Sequence, residues 1–231
     1  MKAPLWLAAL ALCACVTTEP SADVSAPVAR ANTGSGTIAM FRDVVSRVEP
    51  LAESVCKAEA KPGANCDFKV VVDSRENQPP NAYQSVDSTG RPVLTFTEPL
   101  IRQVQNADEL AFVMGHEAAH HISGHLDRTQ QSAVLGGIAG IVLGIAVGGG
   151  ADLVDMTTDI GASVGARAYS KSYELEADQL GTVIAFRAGY NPERGAQFFT
   201  RIPDPGDRFL GTHPPNGQRI ETVRRTMASL R

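Results

Sequence analysis

No stretch of the chain is rich in lysine or arginine. Twenty-one basic residues are set against 25 acidic ones, for a formal net charge of -4. Nucleic acid is thereby excluded as a partner, because a phosphate backbone calls for a clustered cationic face. Cysteine is scarce too. Of the 4 present, Cys13 and Cys15 fall within the first fifteen residues, so only Cys56 and Cys66 remain for a folded domain. Large apolar residues are few from Thr17 to about Gly36, where Ala, Ser, Thr, Pro and Gly dominate. Such a segment has too little surface to bury to order itself, and residues 16–36 are expected to be a flexible tether.

Residues 1–15 describe a leader. Lys2 supplies a short positive region, Leu5 to Leu12 an apolar core, and Leu12-Cys13-Ala14-Cys15 a small-residue cleavage site. The Leu-x-Ala-Cys ending resembles the lipobox of bacterial lipoproteins, in which the last cysteine is lipidated. Cys15 is the expected lipidation site, and Val16 after it favours the outer membrane. Ordinary cleavage without lipid is the alternative. The chain is thus expected to be a periplasm-facing envelope lipoprotein with one folded domain over residues 37–231. In an oxidising compartment, Cys56 and Cys66 are expected to form a disulfide across the turn Lys61-Pro62-Gly63-Ala64-Asn65; free thiols are the alternative if export fails.

Within that domain Phe41, Val44, Val45, Val48, Leu51, Ala52 and Val55 recur at helical intervals, so a helix is expected from Ile38 to about Ala60 despite Pro50. Strands are expected at Phe68–Val72, Asn81–Val86 and Pro92–Thr97, the last two joined by the hairpin turn Asp87-Ser88-Thr89-Gly90. The expected class is α+β: a mainly helical domain of zincin type with a small antiparallel sheet. The strand ending at Thr97 is the expected edge to which an extended peptide would add.

The chemistry concentrates in His116-Glu117-Ala118-Ala119-His120. On a helix, residues four apart share a face, so His116 and His120 can point two imidazoles at one Zn²⁺ while Glu117 stands by to take a proton from water. A helix is expected here because Asn106 and Glu109 have capping-box spacing and Leu110, Val113, Met114 and Ala118 form an apolar stripe.

A third ligand is needed. His121 and His125 follow closely, but the metzincin extension requires Gly and His where Ser123 and Leu126 stand, so that register is excluded. His121 is expected to be structural or exposed, and His125 a helix-end histidine. The remaining source is Tyr173-Glu174-Leu175-Glu176-Ala177-Asp178, opening a helix to about Ala188. Glu174 and Asp178 share a face, which lets Glu174 bind metal while Asp178 accepts a hydrogen bond from a ligand histidine. Glu176 is the weaker candidate, and a solvated acidic first turn is the plainer reading of all three.

Taken together, Asn81-Ala82-Tyr83, the run from Ala107 through Gly115 to His120 with His125 beyond, the Glu174–Asp178 block, and Thr212-His213-Pro214-Pro215 with Arg219 resemble the family of gluzincin metallopeptidases that includes HtpX, the CAAX prenyl protease and BepA. The likeness covers about Phe68 to Ile220. It implies one zinc ion held by His116, His120 and Glu174, with Glu117 as the base. His213 would be an activity-controlling or transition-state-stabilising group, with Arg219 near it. The implied function is a zinc-dependent endopeptidase acting on extended or misfolded polypeptides in the bacterial envelope. A non-catalytic or latent chaperone-like lipoprotein that retains the zinc site is the competing reading.

Between the two zinc-binding segments lies an insert, residues 133–150, made almost wholly of Gly, Ala, Val, Ile and Leu, with Gly136, Gly140, Gly144 and Gly148 four apart. A membrane crossing would set the halves of one site on opposite sides of a bilayer. A small-residue hairpin or lid beside the site is expected instead, open to contact with the bilayer or a second subunit; re-entrant insertion is the alternative.

Overall fold

The computed structural model describes residues 35–168, 170–206 and 213–231. The leader with Cys15, and most of the tether, lie outside the described residues.

Helix α1 (Ser35–Glu59) carries Pro50 within it and buries Val44, Val48, Ala52 and Val55. Its last turn is pinned to the next strand by the disulfide Cys56–Cys66, whose Cα atoms lie 5.6 Å apart. Strands β1 (Lys69–Asp73), β2 (Ala82–Val86) and β3 (Pro92–Thr97) follow, then α2 (Glu98–Gln103). Leu94 and Phe96 of β3 are fully buried, and Phe41 of α1 meets Phe96 edge-on at 5.6 Å.

The sheet is mixed, with strand order β1-β3-β2. β2 pairs antiparallel to β3 as the hairpin turn predicts, but β1 pairs parallel to it. The wholly antiparallel sheet expected from the sequence is corrected on that point. Residues 74–81, with Asn77 at φ 62° and the pair Pro79-Pro80, carry the chain past the place that β3 later fills. β3 is consequently the central strand, and the edge expected at Thr97 belongs to β2 instead.

Helix α3 (Ala107–Ile122) runs through the middle of the domain, with Leu110, Ala111, Met114, Ala118 and Ala119 fully buried. Asn106 caps it by accepting from the backbone N–H of Asp108 and Glu109 at 3.0 and 3.1 Å. Glu109 closes the cap one residue further out than a capping box, accepting from Gln105 N–H at 2.8 Å, and pairs with Arg201 at 2.6 Å.

Gly124, at φ 65°, breaks the chain into α4 (His125–Ala146), which turns back as α5 (Ala151–Ala168). A Cβ at Gly136, Gly140 or Gly165 would run into the backbone of Gly161, Thr157 or Ser132, so glycine is what lets the two helices touch along their length. The insert, residues 133–150, supplies most of α4 and the turn of a helical hairpin, and the second arm comes from α5 beyond it.

Helix α6 (Ser170–Arg187) returns across α3, followed by α7 (Pro192–Gly195), a 3₁₀ turn (Ala196–Thr200) and α8 (Asn216–Leu230). The crossing of α3 and α6 is glycine-mediated. A Cβ on Gly115 would lie 2.7 Å from the Gly181 carbonyl oxygen, and one on Gly181 would lie 2.7 Å from the His116 nitrogen. Two small residues thereby bring the histidine helix against the glutamate helix.

Candidate metal centre

From this crossing, α3 presents His116 and His120 one turn apart, and α6 presents Glu174 opposite them. The Nε2 atoms of the two histidines lie 3.0 Å apart. Glu174 Oε1 lies 3.2 Å from His120 Nε2, and Oε2 lies 3.6 Å from His116 Nε2. Donor atoms around a tetrahedral zinc ion at about 2.0–2.1 Å would stand roughly 3.3 Å apart. These separations bracket that value, and the three donors all fall within 4.8 Å of one another.

Each imidazole is held from behind, which settles the nitrogen it offers. His116 Nδ1 lies 2.9 Å from Asp178 Oδ1, so its N–H donates to that fully buried carboxylate and Nε2 is left to face forward. Asp178 is clamped in turn by Arg219 of α8, whose Nε and Nη2 donate to Oδ2 and Oδ1 at 2.8 and 2.7 Å. The guanidinium also stacks over Phe199 at 4.0 Å. Burial would raise the pKa of Asp178, yet the paired guanidinium and His116 hold it below the ordinary carboxylate range.

His120 is supported by a different device. Its Nδ1 lies 2.9 Å from Nδ1 of His125, whose Nε2 faces Glu176 at 3.3 Å. His125 stacks on Tyr173 at 4.7 Å, and Arg128 donates to Glu176 at 2.8 Å while covering the same tyrosine ring. Burial and the neighbouring His120 push the pKa of His125 down to about 4, so it is neutral at pH 7 and can accept the His120 Nδ1 proton. Glu174 would be raised by burial, but hydrogen bonds from His120 and His213 hold it well below its ordinary value.

The residues named from sequence for the metal site meet at or beside this centre. Asp178 and Glu174 share a face of α6 as expected, and Glu176 points away to His125. Arg219 lies on Asp178 beside the metal ligands, its Nη2 3.6 Å from Glu174 Oε2. His213 is half-exposed at the mouth, with Nδ1 3.1 Å from Glu174 Oε2. His121 is structural, its Nε2 2.8 Å from the Asn65 carbonyl and its ring edge-on to Phe68 at 5.4 Å. The supporting part played by His125 was missed. The signal available was its place five residues after His120, across the Gly124 break, with a glutamate two residues beyond Glu174.

The centre opens into a cleft of about 960 Å³. Glu117 lines it beside His116 and His120, and Ala82, Tyr83 and Gln84 of β2 form one wall. The chain resembles a putative beta-barrel assembly-enhancing protease of Vibrio cholerae, at 33% identity over 50% of this chain and 25% of that protein. It is 28% identical to the beta-barrel assembly-enhancing protease of Escherichia coli K12, over 57% of this chain and 30% of that one. Similarity extends to the mitochondrial metalloendopeptidase OMA1 of Saccharomyces cerevisiae, at 28% identity over 51% of this chain and 36% of that one. The chain spans about a quarter to a third of the length of these relatives. Across residues 39–227 it matches Peptidase family M48, and with the histidine and glutamate donors assembled in this way the chain belongs to that family of metallopeptidases.

Proposed function

We propose that the protein is a zinc-dependent endopeptidase of the bacterial envelope that cleaves extended or misfolded polypeptides. The observation that carries the proposal is the juxtaposition of three donors within 4.8 Å with Glu117 on the wall of an open cleft. Family M48 membership implies a metal cofactor, and two imidazoles with one carboxylate form a donor set suited to Zn²⁺ with a coordination position left over. His116, His120 and Glu174 would hold the ion, which when bound supplies Lewis acidity toward a peptide carbonyl and toward water. The remaining work falls to the chain. The Glu117 carboxylate accepts the proton of the attacking water and delivers it to the departing amide nitrogen. Asp178 and His125 keep the two imidazoles turned so that Nε2 faces the cleft. His213, reaching Glu174 from the mouth, is placed either to steady developing negative charge on the substrate or to hold the site inactive.

Substrate capture follows from the sheet. β2 pairs only with β3 among the described residues, and its other edge borders the cleft. Tyr83 is registered with Thr95, and Thr97 N–H donates to the Asn81 carbonyl at 2.9 Å. Alternation along the ladder then turns the backbone of Ala82 and Gln84 outward. An extended segment can add there through main-chain hydrogen bonds, a mode that reads backbone more than side chains. Two of the three relatives are named beta-barrel assembly-enhancing proteases, which supports an envelope setting. The leader with Cys15 supports attachment to the outer membrane.

The test is cleavage of an unfolded protein before and after chelation, with zinc restored, for wild type and Gln84→Pro. Activity that disappears with the metal and returns with it is expected. Gln84→Pro should keep its zinc and lose roughly tenfold in kcat/KM, the worth of one hydrogen bond at the edge. Cleavage indifferent to chelation would reject the proposal.

A further inference from the structure

The α4–α5 hairpin plays no part in holding metal, yet it carries most of the exposed large apolar side chains among the described residues. α4 is 22 residues long, about 33 Å at 1.5 Å per residue. It is the one described helix long and apolar enough to cross a membrane. Its glycine face is spent on α5. The opposite face is open to solvent, with Val134, Leu135, Ile138, Val142 and Ile145 between 52% and 67% exposed. No ionisable side chain occurs from Thr129 to Ala151. α5 differs in that its outward side is mixed, with Asp152, Asp155 and Asp159 exposed along one flank and Met156 and Ile160 exposed on the other.

We infer that this hairpin lies in the plane of a lipid bilayer, with the outer face of α4 among the acyl chains and the aspartate face of α5 in water. The composition of the face selects lipid over a protein partner. Protein interfaces are enriched in Tyr, Trp and Arg anchors, none of which occurs between Thr129 and Ala151; a purely aliphatic face can leave water for hydrocarbon without needing such anchors. The three aspartates decide the orientation. A spanning hairpin would drag them into the apolar core, whereas helices packed about 8–10 Å apart leave them at the surface when α4 sinks 5–10 Å. They also select neutral headgroups, since acidic side chains gain nothing from an anionic leaflet. The chain outside the structure is compatible with this seat: Ser35 opens α1 twenty positions after Cys15 (35 − 15). A flexible tether of that length has a root-mean-square span of about 25 Å. Leu126, Thr129 and Ala166, at the base of the hairpin, line the cleft, so the seated hairpin holds the cleft mouth at the membrane surface.

The experiment uses residues 16–231, the chain after removal of its leader, so that neither the lipid on Cys15 nor the apolar run Leu5 to Leu12 contributes, mixed with phosphatidylcholine vesicles and floated on a density gradient. The protein should float, and added phosphatidylglycerol should not strengthen binding. Leu135→Glu/Val142→Glu/Ile145→Glu should lose at least about tenfold in partitioning, each position giving up exposed aliphatic area, with helix and zinc content unchanged. Asp152→Asn/Asp155→Asn/Asp159→Asn should still float. Residues 16–231 contain no tryptophan, so a single one placed by Val142→Trp should be quenched by brominated lipid, and one placed by Asp155→Trp should not. Failure to float, equal flotation of the triple glutamate variant, or equal quenching at both positions would each overturn the inference. So would a protein that stays off vesicles as a dimer and becomes a monomer in the triple glutamate variant, because a second copy would then be what covers α4.

Discussion

Removing the Asp178 carboxylate tests how the centre is supported. In Asp178→Leu the guanidinium of Arg219, itself buried, loses both carboxylate oxygens it donates to at 2.7 and 2.8 Å and is left with Glu174 Oε2 at 3.6 Å, and the Nδ1 proton of His116 loses its acceptor. Removing the main partner of a buried charge costs up to about 3–5 kcal/mol. For a chain of this size that is a fall in melting temperature of roughly 6–20 °C. Zinc affinity should fall separately, by about 10- to 100-fold, because an unsupported imidazole samples the wrong tautomer and orientation. The double variant Asp178→Leu/Arg219→Met separates the two effects. With no charge left to orphan, most of the stability should return, while the affinity stays low. Thermal unfolding of the metal-free protein and competition against a zinc chelator measure the two quantities. If the double variant binds zinc as tightly as wild type, Asp178 does not position His116 and the reasoning fails.

Gly181→Val should be among the most damaging single changes, costing more than about 2 kcal/mol and the metal as well, since its side chain would press on the His116 backbone; wild-type zinc content in a folded Gly181→Val protein would contradict the helix crossing. The depressed pKa of His125 gives a pH dependence with a definite sign. The unfolded chain takes up this proton first, so the contribution of His125 to stability is complete above about pH 6.5 and is lost as pH falls toward 4. Denaturant titrations of metal-free protein across that window should show this loss, and His125→Phe should flatten it; an unchanged slope in the variant would assign the effect elsewhere.

The parts of the fold that could be read from the sequence were those decided locally. The Asn106 cap, the apolar stripe of α3, the β2–β3 turn and the face shared by Glu174 and Asp178 each depend on residues a few positions apart. The parts that could not be read depend on meetings between distant segments. β1 lies parallel to the centre of the sheet because the link at 74–81 steps over β3, and nothing within either strand specifies that step. Arg219 was placed near His213 by resemblance, and both meet Glu174 Oε2, but nothing local announced that its two carboxylate hydrogen bonds would go to Asp178, an acid 41 positions earlier in the chain. His125 looked like a helix end, which it is; only the folded structure sets it against the back of His120. The glycines of the hairpin announced close packing without revealing that the partner face would come from α5.

The central claim, that Glu117 moves the proton while His116, His120 and Glu174 hold the metal, is met most directly by Glu117→Gln. Zinc content and cleavage of an unfolded protein should be measured on the same preparations as wild type. The account predicts one zinc ion per chain in both proteins and cleavage by wild type alone, with kcat lowered at least about a hundredfold in the variant. Cleavage by Glu117→Gln at the wild-type rate, or a wild type that binds zinc and cleaves nothing across a broad panel of unfolded substrates, would contradict it.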